Sequence, residues 1–392
     1  MSYKIRTRDK HFENDGTPKR ILALDGGGLR GILTLEILAR IEKVLGERYG
    51  RDDTFRLCHY FDLIAGTSTG AIIAAALALG MKVEEISKMY FDLGQRVFKR
   101  SLLRKGVLRA LYDENALAEK LKGVYGAKTT LGSSELMTGL LIVTKRLDSN
   151  SPWPLGNNSQ GKYFGPRPGG DTIPNRDYPL WQVVRASTAA PRYFEAEDIE
   201  IVKAPGKKSV RGQFVDGGVS PFNNPALQAF MYATLGGYRV GWPMGADKIL
   251  LVSVGTGSRD PKVTPTSITA THAVKALLAL MDDCAALVET MLQWMSSSPT
   301  ARSIDRELGD LGRDLLGNTA LFSYLRYNIA LERDTLRNEL GLDLSPDAVA
   351  PLSEMDDPNN MPMLRRIGEL VGERKVDGKD FLTNFDLPPD GQ

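Results

Sequence analysis

Three short apolar runs along the chain each end in a glycine-rich segment, and two of them lead directly into a helical pattern. Residues 20–24 (RILAL) precede the glycine loop 25–28 (DGGG), and residues 31–49 then place apolar side chains at helical spacing. The same order recurs at 61–80 (FDLIAGTSTGAIIAAALALG), and 249–257 (ILLVSVGTG) is another apolar strand that runs into glycines. Repeated strand-to-loop transitions of this kind predict an α/β fold with a central, mostly parallel and buried sheet.

The rest of the pattern divides into longer stretches. Residues 83–125 are predicted to be mostly helical, and 136–147 (LMTGLLIVTKRL) form another buried strand. Residues 150–179 are so rich in Pro, Gly and Asn that we expect a long loop, either a surface excursion or a lid. Residues 180–190 are helical again, and 270–340 are predicted to be predominantly helical.

These patterns suggest three parts of the chain. Residues 1–17 form a polar N-terminal segment and 18–260 a catalytic core. Residues 261–392 form a helical C-terminal region with a polar tail, packed on the core. The tail contains one short amphipathic piece, MLRRIGELVGERKV.

Charge and cysteine content exclude some classes of protein. Fifty basic against 48 acidic residues give a net charge of +2, which argues against a general nucleic-acid-binding surface. Cys58 and Cys284 fit no metal-ligand spacing and are expected to be buried free thiols in a reduced compartment.

The polar N-terminus lacks the apolar core of a secretion signal, and no segment is suited to span a membrane. We therefore expect a cytoplasmic protein whose membrane contact is peripheral.

A serine lies at the turn between a strand and a helix. Gly66-Thr67-Ser68-Thr69-Gly70 matches G-x-S-x-G, the elbow that holds a serine hydroxyl exposed in a strained conformation. Gly66 and Gly70 allow the strand and helix to approach closely, and the helix start offers free backbone N–H groups beside Ser68. The apolar segments on both sides supply the context that this motif requires, so Ser68 is a candidate nucleophile.

The base that would activate this serine is better sought among carboxylates than among histidines. His11 lies in the polar N-terminus, His59 directly precedes the strand that leads to the elbow, and His272 starts a helical segment remote from any glycine-rich turn. A Ser-His-Asp triad therefore has no attractive candidate. Asp216 ends a short apolar run and precedes Gly217 and Gly218. An Asp-Gly hairpin turn is the structural alternative for these three residues.

The glycine loop at 25–31 (DGGGLRG) is a candidate oxyanion hole. Acyl transfer needs donors for a developing oxyanion, and the backbone amides of Gly26, Gly27 and Gly28 could supply them. A phosphate-binding turn competes with this interpretation, but the loop has neither G-x-G-x-x-G nor a P-loop lysine. Arg30 either orients the loop or a substrate phosphate, or it is a structural partner, and the structural role is favoured.

DGGGLRG at 25–31, GTSTG at 66–70 and DGG at 216–218 stand in one order along the chain. This set resembles the patatin-like phospholipase family, over roughly residues 18–260, and ASTAAPRYFEA at 186–196 and SVGTG at 253–257 add to the resemblance. It implies a three-layer patatin-like fold of a bacterial member, with a Ser68-Asp216 catalytic dyad. It also implies that Gly26, Gly27 and Gly28 form the oxyanion hole. From the residues themselves we expect a supporting role for Arg30, Gly66, Gly70, Gly217 and Gly218.

The resemblance implies a lipid acyl hydrolase of the phospholipase A type that needs no metal and no cofactor. A thioesterase or acyltransferase on the same site, or a catalytically silent binding module, is the alternative. Some bacterial patatin-like proteins are effectors switched on by a cyclic nucleotide in antiviral defence, and the size of this chain is compatible with that regulation.

Two further segments bear on partners. Residues 93–112 carry six basic residues and no acidic one: Arg96, Lys99, Arg100, Arg104, Lys105 and Arg109. This segment could meet anionic headgroups at the inner membrane, form a solvated helix face, or bind a negatively charged activator. Residues 273–295 are expected to form a core helix or a contact in a homo-oligomer.

Overall fold

The computed structural model describes residues 3–51, 53–97, 114–167, 170–191, 193–203, 209–258 and 269–389. Its centre is a mixed, mostly parallel sheet, which confirms the fold class expected from the sequence. The strands of the described part are β1 Lys19–Leu24, β2 Leu63–Thr67, β3 Gly139–Arg146, β4 Ser151–Gly156, β5 Glu197–Val202, β6 Val210–Asp216, β7 Ile249–Val254, β8 Ser296–Ser297 and β9 Phe322–Tyr327.

Helices flank this sheet in the described part of the chain. The α-helices of the described part are α1 Arg8–Phe12, α2 Gly31–Tyr49, α3 Leu57–Tyr60, α4 Thr69–Ala78, α5 Val83–Val97, α6 Glu114–Tyr125, α7 Leu180–Ser187, α8 Ala226–Thr234, α9 Thr269–Met295, α10 Arg333–Leu340, α11 Pro346–Val349 and α12 Met361–Lys375.

The strand order is β5-β6-β3-β2-β1-β7-β9-β8, and β4 pairs with β3 beside this path. Strands β3, β2, β1, β7, β9 and β8 run parallel, whereas β4 and β6 are antiparallel to β3. The apolar runs of β1, β2 and β7 are buried along their whole length, because helices cover both faces of a parallel sheet. The carboxyl ends of these strands therefore meet at one edge, where the glycine segments lie.

Successive residues of one strand face different helical layers. Along β1, Leu22 and Leu24 pack into a cluster with side chains of α2, α4 and α12. Ile21 and Ala23 pack on the other face, in a cluster with side chains of α8 and α9. This alternation produces the three layers, with the sheet between two helical layers.

The predicted loop at 150–179 is wrong in its first part. Residues Ser151–Gly156 form β4, which pairs with β3 in antiparallel register from Arg146↔Ser151 to Leu141↔Gly156. Pro152 and Pro154 made this segment resemble a loop in the sequence. The strand tolerates them because β4 lies beside the main strand path.

The expectation of a predominantly helical segment at 270–340 is also incomplete. Helices α9 and α10 lie there, but the segment between them includes β8 and β9, and β9 extends the parallel sheet beyond β7. The apolar FSYLRY run of β9 is short, and its periodicity does not distinguish a buried strand from a helix. The C-terminal part is therefore helical, as expected, and also contributes to the sheet.

The amphipathic piece of the tail becomes α12, which packs closely against α2. A β-carbon at Gly368 would lie 2.7 Å from the Leu33 carbonyl oxygen, so only glycine permits this approach of the two helices. Beyond α12, Phe381 and Phe385 are buried against the core. The tail thus covers the outer face of one helical layer.

The expectation that both cysteines are buried has a mixed outcome. Cys58 is buried and Cys284 is only partly buried, and both are free thiols. Among the described residues, no helix combines the length and apolar character needed to cross a bilayer.

A buried carboxylate ties the N-terminal segment to the sheet. Asp62, just before β2, accepts hydrogen bonds from Arg20 N (2.8 Å) and Arg20 Nε (2.9 Å), and His11 Nδ1 lies 2.9 Å from its other oxygen. The Arg6 guanidinium pairs with the same carboxylate at 2.7 Å. Burial alone raises the pKa of Asp62, but Arg20, Arg6 and the His11 hydrogen bond outweigh burial and hold this pKa well below its usual range.

We expect Asp62→Ala to destabilise the chain by about 3–5 kcal/mol, because the buried Arg20 and the partly buried Arg6 lose their counter-ion. Urea unfolding at pH 7 measures this. Since the pKa of Asp62 is depressed on folding, its contribution is present above pH 4 and is lost as the pH falls through the folded-state value.

The control is Asp148→Ala, which breaks a partly exposed ion pair with Arg146 and should cost less than about 1 kcal/mol. Equal unfolding midpoints for the two variants would contradict the role given to Asp62.

Candidate active site

The candidate nucleophile lies at a strained turn. Ser68 sits between β2 and α4 with φ 55° and ψ −123°, a conformation that non-glycine residues rarely adopt. Its backbone N–H donates to Ser187 Oγ at 2.9 Å, and that hydroxyl donates to the Val143 carbonyl oxygen at 2.6 Å. Two hydrogen bonds in series thus connect the Ser68 turn to α7 and β3 and hold it in place.

The glycines around the serine are required by close backbone approach. A β-carbon at Gly66 would lie 2.2 Å from the Gly70 carbonyl oxygen. A β-carbon at Gly70 would lie 2.1 Å from the Leu24 carbonyl oxygen at the end of β1. Any larger residue at either position would push α4 away from the strands.

The side chain of Ser68 meets a carboxylate from a distant part of the chain. Ser68 Oγ donates to Asp216 Oδ2 at 2.6 Å, and Asp216 Oδ1 accepts from the Gly218 backbone N–H at 2.7 Å. Asp216 ends β6 and is only 4% exposed. The structure therefore brings together the serine and the aspartate that the sequence singled out.

Burial raises the pKa of Asp216 to about 6. The Ser68 hydroxyl, the Gly218 amide and the Arg185 charge oppose this shift, because each favours the ionised carboxylate. Asp216 is therefore mostly ionised at neutral pH but can take up a proton at modest cost.

The Asp-Gly-Gly turn allows β6 to approach β3 and β2. A β-carbon at Gly217 would lie 2.2 Å from the Val143 carbonyl oxygen, and one at Gly218 would lie 2.9 Å from Asn223 Oδ1. These contacts explain why both residues after Asp216 are glycine.

The glycine loop lies beside Ser68. A β-carbon at Gly26 would lie 3.1 Å from Ser68 Cβ, and the Gly26 N–H donates to the Asn223 carbonyl oxygen at 3.0 Å. Within the described residues, the N–H groups of Gly27 and Gly28 have no hydrogen-bond acceptor. Both residues line the cavity that contains Ser68.

Several side chains fix this loop. Tyr90 Oη and Thr69 Oγ1 donate to the Gly28 carbonyl oxygen at 2.5 Å and 2.8 Å. Arg30 is buried and donates to the carbonyl oxygens of Gly27 (3.4 Å) and Gly257 (2.8 Å), so it links the loop to the turn after β7. These bonds fit the structural role favoured for Arg30.

The C-terminal part also holds the loop, which the sequence did not indicate. The buried Arg326 guanidinium on β9 binds Asp25 bidentately, at 3.1 Å and 2.6 Å. The Met355 carbonyl oxygen accepts from the Leu29 N–H at 2.8 Å. A buried aspartate next to three glycines predicts some cationic partner, but nothing in the sequence identifies Arg326.

Ser187 and Asn223 are further residues that sequence analysis missed. Ser187 lies within ASTAAPRYFEA, and Asn223 follows the Asp-Gly-Gly turn. The sequence pattern drew attention to both segments, but it did not assign a role to either side chain. Their contacts to Ser68 and Gly26 depend on how α7 and the turn before α8 pack.

A mostly apolar cavity of about 150 Å³ opens onto Ser68 and Asp216. Its apolar lining comes from several elements and includes Ile72, Leu93, Leu117, Phe194, Met281 and Met355. Such a lining suits a hydrocarbon chain better than a charged ligand.

The histidines are engaged elsewhere. His11 is buried against Asp62, and His59 Nδ1 lies 2.9 Å from Tyr3 Oη. Burial lowers the pKa of both to about 4. The side chain of His272 is outside the described residues, and in the described part no group of three or more His, Cys, Asp or Glu could hold a metal ion.

Most of the basic segment expected to contact a membrane lies outside the described residues, which resume at Glu114 after Val97. The side chain of Arg96 is also outside them. The role of this segment stays a prediction.

Comparisons with known proteins place the fold in a family. A family model described as patatin-like phospholipase matches residues 22–230. A cGAMP-activated phospholipase of Escherichia coli (strain TW11681) is 28% identical over 250 residues, which cover 63% of this chain and 64% of that protein. A cUMP-AMP-activated phospholipase of Escherichia coli is 35% identical over 219 residues, covering 55% of this chain and 59% of that protein.

The chain thus spans less than two thirds of the length of these two relatives. Among solved structures, human GIVD cytosolic phospholipase A2 aligns with 96% of this chain and 62% of its own, at 11% identity and a TM-score of 0.46.

We expect Asp216→Asn to stabilise the chain more at pH 8 than at pH 4. Because folding raises the pKa of Asp216 from 3.8 to about 6, its contribution is fully present below pH 3.8 and is lost as the pH rises through 6. The difference between the two pH values should approach about 3 kcal/mol at most, and urea unfolding at each pH measures it.

Ser68→Ala is the matched control, because it removes the hydrogen-bond partner and keeps the carboxyl group. It should retain the decline of stability between pH 4 and pH 8. The same pH dependence in Asp216→Asn and the unsubstituted chain would refute the raised pKa.

Proposed function

The chain belongs to the patatin-like phospholipase family, and from that premise we propose that it hydrolyses fatty acyl esters of phospholipids with Ser68 as nucleophile and Asp216 as base. The observation that carries this proposal is the 2.6 Å hydrogen bond from Ser68 Oγ to Asp216 Oδ2 at the end of an apolar cavity. No histidine of the described part competes for the role of base at Ser68.

In the first step, Asp216 takes the proton of the Ser68 hydroxyl while Ser68 Oγ attacks the ester carbonyl carbon. A carboxylate is a weak base in water, but burial raises the pKa of Asp216 to about 6, which makes it a stronger proton acceptor. The strained turn at Ser68 keeps the hydroxyl fixed for attack, since the backbone cannot relax without losing the Ser187 hydrogen bond.

The negative charge that develops on the carbonyl oxygen requires donors. We assign this role to the N–H groups of Gly27 and Gly28, which line the cavity and lack acceptors within the described residues. The Gly26 N–H already donates to the Asn223 carbonyl oxygen, so it is not a donor of the oxyanion hole. Gly26 instead allows the glycine loop to lie close to Ser68.

The remaining steps return the enzyme to its starting state. Protonated Asp216 gives its proton to the departing alcohol oxygen, which releases the lysophospholipid and leaves an acyl ester on Ser68. Asp216 then removes a proton from water as the water oxygen attacks this ester. The fatty acid departs, and the proton on Asp216 returns to Ser68 Oγ.

The other residues of the site support this geometry. Gly66 and Gly70 hold the elbow, Gly217 and Gly218 bring Asp216 to Ser68, and Arg30 ties the glycine loop to the turn after β7. We infer a peripheral contact with the cytoplasmic face of the membrane, where the apolar cavity would receive an acyl chain.

Replacing Ser68 with Ala or Asp216 with Asn should each lower fatty acid release from phospholipid vesicles by at least about 10³-fold, since either change removes one half of a unit that acts together. Mass spectrometry of released fatty acids measures this, and circular dichroism confirms that the variants fold.

Ser149→Ala, at an exposed position, is the control and should retain full activity. Undiminished fatty acid release by Ser68→Ala would contradict the mechanism. Release from acyl thioesters but not from phospholipids would favour the thioesterase alternative instead.

We also propose that a cyclic dinucleotide switches this activity on, as a bacterial effector in antiviral defence. Two relatives, at 28% and 35% identity, are named as activated by cGAMP and by cUMP-AMP. Sequence similarity alone supports this proposal, because the site geometry does not itself identify an activator.

Adding the cognate member of a cyclic dinucleotide panel should raise fatty acid release at least about tenfold, a coupling of about 1.4 kcal/mol. The assay compares vesicles with and without each nucleotide, and Ser68→Ala controls for contaminating lipases. Full activity without any nucleotide, unchanged by the whole panel, would identify a constitutive lipase.

A further inference from the structure

The two proposed oxyanion donors belong to peptide groups whose carbonyl ends are bonded and whose N–H ends are not. In a planar trans peptide the C=O and N–H groups point in opposite directions. The Gly27 N–H therefore shares a plane with the Gly26 carbonyl, and the Gly28 N–H shares one with the Gly27 carbonyl. In the described part of the chain neither N–H has an acceptor. Whatever holds each carbonyl thus sets the direction of the N–H paired with it.

The Gly26 carbonyl oxygen is held by two side chains. Thr256 Oγ1 donates to it at 3.1 Å and Asn223 Nδ2 donates at 3.4 Å. Thr256, in the turn after β7, is only 3% exposed, so water has little access to its hydroxyl. The shorter bond, from Thr256, is therefore the stronger restraint on the peptide that carries the Gly27 N–H.

Thr256 also lies directly against Gly27. A β-carbon at Gly27 would be 2.2 Å from Thr256 Oγ1 and 2.6 Å from Thr256 Cβ. The φ of Gly27 is 174°, which is extended backbone that any residue can adopt. Glycine is therefore required at this position by the approach of Thr256, and not by the backbone conformation.

The glycine loop lies between two cavities, so packing alone does not fix its peptide planes. The apolar cavity with Ser68 is on one side, and a polar cavity of about 750 Å³, bordered by Asp25, Asn223 and Thr256, is on the other. Glycines have no side chain to anchor them, and their backbone is unusually free. Hydrogen bonds to the loop carbonyls must therefore supply its orientation.

The turn that carries Thr256 is itself fixed by the end of β9. The Gly255 N–H donates to the Tyr327 carbonyl oxygen at 2.9 Å, and the Gly257 N–H donates to Asn328 Oδ1 at 2.9 Å. Threonine is branched at Cβ, which restricts its χ1 angle. The Thr256 hydroxyl is thus presented to the loop from a rigid support.

We propose that Thr256 is a positioning residue of the oxyanion hole, whose hydroxyl holds the Gly26–Gly27 peptide so that the Gly27 N–H points at the ester carbonyl oxygen. This inference rests on the proposed function and adds a residue to it. Thr256 does not touch the substrate. Its hydrogen bond also polarises the peptide, which makes the Gly27 N–H a stronger donor.

Three substitutions separate the hydroxyl from the shape of the side chain. Thr256→Val keeps the branched shape without the hydroxyl, Thr256→Ser keeps the hydroxyl without the methyl group, and Thr256→Ala keeps neither. A role in packing alone predicts that valine is tolerated better than serine, whereas the positioning role predicts the reverse. Serine and alanine differ only by the hydroxyl, so their comparison holds even if Thr256→Val does not fold.

The assay is saturation kinetics on a soluble p-nitrophenyl ester of a short fatty acid, with the proposed activator in every sample if it is required. Thr256→Val and Thr256→Ala should lower kcat by about 10- to 100-fold, somewhat less than the roughly 10²–10³-fold cost of removing a donor outright. KM should stay within about twofold, because the oxyanion exists only after attack. Thr256→Ser should keep kcat within about threefold.

Thr138→Val is the matched control. Thr138 is fully buried and donates to the Phe61 carbonyl oxygen at 2.6 Å, but it precedes β3 and lies at the opposite edge of the sheet from Ser68. This variant should lower the urea unfolding midpoint and leave kcat unchanged. An equal loss of kcat in Thr138→Val and Thr256→Val would show a general effect of a lost buried hydrogen bond and would overturn the inference.

Labelling by a fluorophosphonate separates this inference from the proposed function. The reagent forms a bond between Ser68 Oγ and phosphorus and expels fluoride, while Asp216 takes the serine proton, and intact-protein mass spectrometry gives the rate. This rate should fall in Thr256→Val and recover in Thr256→Ser.

Labelling rates and kcat values that are the same in Thr256→Val and the unsubstituted chain would overturn the role of Thr256, while hydrolysis by Ser68 stands. An unsubstituted chain that neither cleaves the ester nor is labelled at Ser68 would overturn the proposed function, and this inference with it.

Discussion

The hydrogen bond between Ser68 and Asp216 is the constraint around which the site is built. These residues are 148 positions apart, and their oxygens lie 2.6 Å apart in a partly buried environment. Such a contact requires the turns that follow two non-adjacent strands, β2 and β6, to meet at the same level along β3. The antiparallel pairing of β6 with β3 sets that depth, because Asp216 stands opposite Thr144 at the end of the register.

Glycine is the residue that makes this meeting possible. At Gly66, Gly70 and Gly217 a β-carbon would lie within 2.2 Å of a backbone carbonyl oxygen, so the strands and α4 could not reach their observed separation. The motifs are therefore steric requirements of one crowded edge of the sheet, and each motif supports the others. A serine elbow without the glycine at 217 would have no carboxylate in reach.

The C-terminal part of the chain adds what the three motifs lack. Arg326 on β9 neutralises Asp25, and the Met355 carbonyl oxygen holds Leu29, so the glycine loop is fixed from outside the matched residues 22–230. The loop in turn separates an apolar cavity from a polar one.

The resemblance of three motifs to a known family implied the pairing of Ser68 with Asp216. The sequence by itself determined the α/β class and the buried parallel strands, and it singled out Ser68 and Asp216 as residues of interest. It did so because apolar runs, glycine turns and a scarcity of suitably placed histidines are local signals. The tertiary structure alone decided that β4 and β9 are strands, that the Gly26 amide is engaged by Asn223, and that Arg326 binds Asp25. Those features depend on pairing partners and counter-charges that lie far away along the chain, and no local pattern records which distant residue will supply them.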